Sequence, residues 1–143
     1  FVTGLRQQKM NNELADQALQ NGDHLLAYEI FSKLIAATKG NTKSQKELDQ
    51  ALLGRAIATR QLGFPAQALY DLSQISSDEE NSQVTILYHF TYALLEAECL
   101  QLAEANRAVC AQYAQAQGME KEMEEMALLE QIIKETQPPM PGY

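Results

Sequence analysis

The sequence has no tryptophan, four prolines, seven glycines and two cysteines among its 143 residues. So few breakers leave long uninterrupted segments, and these are rich in Ala, Leu, Gln and Glu, all strong helix formers. β-Branched residues are sparse and, apart from Val84-Thr85-Ile86, hardly grouped, which argues against a strand-rich fold. Basic residues are scarce too: 11 against 19 acidic ones, for a net charge of −8. A surface of that sign repels phosphate backbones, so nucleic acid is not an expected partner. No apolar run approaches the roughly 18–20 residues that cross a bilayer, so membrane insertion is not expected. The start, Phe1-Val2-Thr3-Gly4, has neither an initiating Met nor a charged leader, which points to an excised or processed chain without a signal peptide.

Candidate chemistry is thin. Cys99 and Cys110 fall in helical segments with no Cys or His at metal-ligand spacing. They read as small buried hydrophobes of a reduced, cytoplasmic compartment, with a disulfide or redox pair as the alternative. His24 and His89 are far apart and lack a Cys, Asp or Glu at ligand spacing on the same face. Neither a nucleophile elbow nor a Gly-rich phosphate loop occurs. No catalytic residue, metal or cofactor is therefore expected, and the chain is not read as an enzyme.

What the sequence does contain is helical periodicity. Apolar spacing and breakers predict about seven helices, near 6–20, 24–38, 45–61, 66–76, 82–98, 102–117 and 119–136. Met10, Leu14, Ala18 and Leu19 form the expected apolar stripe of the first helix, and Ala27, Ile30, Phe31, Leu34 and Ile35 that of the second. Asn21-Gly22-Asp23 and Gly63-Phe64-Pro65 supply turns, while 39–44 is a polar, basic loop. Ser77 or Asp78 is the expected cap of the fifth helix, which is apolar on nearly every side and reads as enclosed or ligand-facing. In the last helix Met119, Met123 and Met126 are expected to pack, and Glu120, Glu122, Glu124 and Glu125 to face solvent. Pro138 and Pro139 end it.

The helices also repeat. Ala15, Ala56 and Ala93 are each followed twelve residues later by Ala27, Ala68 and Ala105, and four further on by Phe31, Leu72 and Val109. In the first two units Gly22 and Gly63 lie seven residues after the first alanine. Close packing of a helix hairpin needs this combination: a small residue on each helix, a turn between them and a bulky residue to fill the gap.

On these residues the sequence resembles the tetratricopeptide repeat family, with its A-x3-F step in the second helix of each unit. Three divergent repeats fall at about 8–41, 49–82 and 86–118, with 119–136 as an amphipathic capping helix, all within one domain over 1–143. The family's leading Trp position holds Asn11, Leu52 and His89, its closing Pro is absent, and the period stretches to 41 and 37 residues. The resemblance implies an all-α fold of antiparallel hairpins stacked as a short right-handed superhelix. It also implies a concave groove, lined by the first helix of each unit, that holds a segment of a partner protein.

Carried over by position, that groove receives Lys9, Asn12, Glu13 and Asp16 from the first unit. The second gives Leu53, Gly54, Ile57 and Arg60, and the third Leu87, Phe90, Thr91 and Leu94. One branch of the family clamps C-terminal carboxylates with Lys, Asn and Arg. The matching places here hold Asn12, Asp16, Gly54, Leu87 and Thr91, so that ligand is not expected. An apolar or amphipathic segment suits the groove better, although the same residues would also serve as core. The expected role is an adaptor or scaffold module. The alternatives are a small secretion chaperone, on the stretch from Ala97 to Ala105, and a regulatory domain of a larger enzyme. A homodimer through an exposed apolar groove is also open.

Overall fold

The structure, a computed structural model, describes the backbone of residues 2–38 and 45–136, and the side chains from Asn11 onward within them except that of Asn81. The 39–44 loop, Pro138 and Pro139, and the side chains of Lys9 and Met10 lie outside the described residues. Among the described residues the protein is all-helical, with seven helices and no strand. These are α1 (Val2–Gln20), α2 (His24–Thr38), α3 (Gln45–Gln61), α4 (Pro65–Ser73), α5 (Glu80–Glu96), α6 (Leu100–Ala116) and α7 (Glu120–Thr136). None of them is long and apolar enough to cross a membrane.

Four tight turns join helices by the same hydrogen bonds. Gly22, Gly63, Glu98 and Gly118 each take a left-handed conformation, with φ of 80°, 90°, 62° and 67°. The amide after each donates back to the carbonyl four residues before it: Asp23 to Ala18, Phe64 to Thr59, Cys99 to Leu94 and Met119 to Ala114, at 2.8–2.9 Å. The turn residue's own amide donates to the carbonyl three residues before it, from Leu19, Arg60, Leu95 and Gln115. This is the Schellman arrangement, which satisfies carbonyls orphaned at a helix end.

Aligning the units on these turns corrects the third repeat by two residues. Counting back seven from Gly22, Gly63 and Glu98 gives Ala15, Ala56 and Thr91, all buried. Counting forward five gives Ala27, Ala68 and Ala103, each fully buried, and four more gives Phe31, Leu72 and Arg107. The expected Ala105 and Val109 instead sit on the exposed side of α6. The turn-to-turn spacings are 41 and 35 residues. The cause is chemical: the third turn uses a glutamate where the other three use glycine, so nothing in its composition marks it. Accordingly α5 and α6 both begin and end about two residues earlier than expected.

The chain divides into two compact units, Phe1–Ser77 and Asp78–Tyr143. In the first, α1 packs on α2, α2 on α3 and α3 on α4. Its core gathers Ala15, Ala18, Ala27, Phe31, Leu34, Ile35, Ala51, Leu52 and Ala58. Leu14, expected on the apolar stripe of α1, is half exposed. Alanine at the helix crossings brings backbones close, and Gly54 takes this further. A Cβ at position 54 would fall into the ring of Phe31, 2.5 and 2.6 Å from Cε1 and Cε2. A buried ion pair ties α3 to α4: Arg55 Nε and Nη2 donate to the two oxygens of Asp71, both at 2.8 Å, and Asp71 is fully buried. Arg55 Nη1 also donates to Ser32 Oγ in α2 at 3.3 Å.

In the second unit α5 packs on α6, α6 on α7, and α5 on α7. Its core gathers Val84, Cys110, Ala114, Met126 and Leu129, with Met119 and Met123 packed against it, as the methionine stripe suggested. Helix α5 is enclosed: no described residue from Ser82 to Leu95 is exposed. Its N-cap is Glu79 rather than Ser77 or Asp78. Where the first two units place Phe31 and Leu72, this one places Arg107. Its guanidinium grips Glu104 through two 2.7 Å bonds and reaches the Met126 carbonyl and Glu130 of α7, each at 3.4 Å. The outer face of α7 carries Leu128 and Ile132, 66% and 46% exposed.

Candidate binding groove

In the first unit, residues from α1 and α3 converge on one cavity. The face of α1 at Asn12, Asp16 and Leu19 meets the face of α3 at Gln50, Leu53, Gly54 and Ile57, and Phe31 of α2 forms the floor. The cavity holds about 250 Å³. Gly54 is what lets Phe31 reach the cavity: because that position has no side chain, the far end of the Phe31 ring closes directly on the α3 backbone.

Of the groove residues expected in the first two units, Asn12, Asp16, Leu53, Gly54 and Ile57 line this cavity. Gly54 does so as a buried packing position rather than as a contact surface. Glu13 is exposed and Arg60 half-buried, and neither lines it. Leu19, Phe31 and Gln50 were not foreseen. Gln50 could have been found, since it shares a helical stripe with Leu53 and Ile57 at i, i+3, i+7. Phe31 was read only as core, and it is both core and floor.

Polarity within the cavity is uneven. Leu19, Phe31, Leu53 and Ile57 supply apolar walls, Asn12 and Gln50 neutral amides, and among the described residues Asp16 is the one charged lining group. Asp16 is exposed overall, and the part of its surroundings that is buried raises its carboxyl pKa above the ordinary value, because the charged form loses some water.

The residues expected from the third unit are placed differently. Thr91 and Leu94 are buried, and Thr91 Oγ1 donates to the Leu87 carbonyl at 2.7 Å. They offer no surface to a ligand. Leu87 and Phe90 are half-buried, and Leu87 packs against the second core. By the turn alignment, the counterparts of Asn12 and Asp16, and of Leu53 and Ile57, are Tyr88 and Tyr92. Their rings lie 4.9 Å apart, and Tyr92 donates to Glu125 of α7 at 3.4 Å. Desolvation, with the nearby Glu125 carboxylate second, raises the Tyr88 phenol well above the tyrosine range. His89 stacks edge-on with Tyr88.

A second cavity, of about 360 Å³, lies in the second unit between Asp78, Glu80, Gln83, Tyr113, Ala116 and Gln117. Gln117 Nε2 donates to Glu80 at 2.6 Å and partly spans it. Among the described residues no three His, Cys, Asp or Glu side chains gather closely enough to hold a metal ion. No family model matches the chain, and neither any curated protein nor any solved structure matches it.

Proposed function

We propose that this chain is a tetratricopeptide-type helical repeat that acts as a protein-interaction module, holding an apolar or amphipathic segment of a partner between α1 and α3 of its first unit. One observation carries the reading: the α1–α3 cavity gathers Asn12, Asp16, Leu53 and Ile57, the positions at which the resemblance puts partner contacts. Recurrence of one helix-turn-helix geometry at Gly22, Gly63 and Glu98, with small buried residues at matched offsets, supports the repeat itself. A cavity of this size suits one anchor side chain, the usual way a helical groove gains both affinity and register.

The test compares native chain with Ile57→Asp as baits for partner capture, after both are shown to have equal helicity. The expected result is a partner held by the native bait and lost from the folded variant. A folded variant that captures the same protein in the same amount would overturn the groove assignment.

A further inference from the structure

We propose that the α1–α3 cavity takes one apolar side chain of a partner segment that carries a lysine or arginine within one helical turn of that anchor, the cation meeting the carboxylate of Asp16. The inference rests on the groove reading above and adds the partner's chemistry. Phe31, Leu53 and Ile57 give the cavity apolar lining, and Asn12 and Gln50 add neutral amides. Asp16 is the exception, and among the described residues nothing is paired with its carboxylate. The basic residue Arg55 on α3 has Nε and Nη2 on the buried Asp71 and Nη1 on Ser32, so it is not available to balance that charge.

The balance of costs then selects the ligand. Seating an apolar side chain beside Asp16 removes more water from a carboxylate that is already partly desolvated. A neutral partner leaves that cost standing, and an acidic partner adds repulsion. A cation one turn from the anchor offsets the cost at the point where it arises, through a charge-assisted hydrogen bond. The net charge of −8 favours the same partners at longer range and makes their association rate depend on salt.

The experiment titrates the full chain into labelled helical peptides and reads anisotropy. The peptides share a Leu, Met or Phe anchor and carry Lys, Gln or Glu one turn away. The Lys series is expected to bind about tenfold more tightly than the Gln series, a difference of about 1.4 kcal/mol. Asp16→Asn should abolish that preference while leaving Gln-series affinity within about twofold, and Asp16→Lys should transfer the preference to the Glu series. Glu124→Gln, exposed on α7, changes net charge by the same amount and should leave the preference intact. Equal binding of the Lys and Gln series, with affinity still lost on Ile57→Asp, overturns this proposal and leaves the groove standing. A preference eroded as much by Glu124→Gln as by Asp16→Asn also overturns it, because bulk charge then explains the effect. No binding by any series overturns both.

Discussion

At the scale of single residues, two positions carry unusual constraints. Gly54 is a helix-interior glycine, which intrinsic propensity would replace with alanine for a gain of about 1 kcal/mol. Here the sign reverses, because the new methyl would enter the ring of Phe31, a 2% exposed core residue that would have to shift from its packed position. Gly54→Ala is expected to destabilise the chain by about 1–3 kcal/mol in urea unfolding, as overpacking does. Glu98 is the opposite case, a side chain held at φ 62° where the three equivalent turns use glycine. Glu98→Gly should stabilise by about 1 kcal/mol in the same assay, since the strain of the left-handed conformation disappears. No change, or a loss, would mean that the Glu98 side chain makes compensating contacts. The same residue explains where the sequence became hard to read. Gly22 and Gly63 announced their turns and fixed two units correctly, whereas Glu98 announced nothing. The third unit was therefore aligned on Ala93 and Ala105, two residues away from Thr91 and Ala103.

At the scale of helices, buried polar groups decide how neighbours are held. Asp71→Asn keeps the shape of the α3–α4 contact but leaves the Arg55 guanidinium without its charge partner. Breaking a buried pair in this way costs about 3 kcal/mol or more, so a clear fall in the urea midpoint is expected. An unchanged midpoint would show that Arg55 finds solvent or another acceptor. None of this was legible beforehand, because Arg55 and Asp71 are sixteen residues apart and only the hairpin brings them together. In α6, burial pushes the Cys110 thiol up to about 11, from an ordinary value near 9, and the thiol donates weakly to the Val84 carbonyl. A folded-state pKa above the unfolded one means that folding retains the proton. This term is therefore neutral below pH 9 and destabilises progressively as pH rises from about 9 to 11. Native Cys110 should resist a thiol reagent at neutral pH while half-buried Cys99 reacts faster. Equal labelling rates under native conditions would contradict the burial of Cys110.

For the molecule as a whole, composition and periodicity were enough for the fold class. Seven helical segments with apolar faces, most of them separated by glycine, proline or polar turns, leave few other ways to bury those faces. Of the expected groove positions, Asn12, Asp16, Leu53 and Ile57 do lie together, lining one cavity of the first unit. The positions expected from the third unit do not present a surface, since Thr91 and Leu94 are interior. On α7, Leu128 and Ile132 share one exposed side, a feature the glutamate-rich pattern of the helix did not single out. That face is an apolar surface of the second unit, and the cavity between α1 and α3 is the binding surface proposed for the first. The most direct test of that assignment places a photocrosslinking side chain at Leu53 in one chain and at Leu128 in another, and irradiates each with its captured partner. A crosslinked partner is expected from position 53 and little or none from 128. Crosslinking at 128 with none at 53 would contradict it.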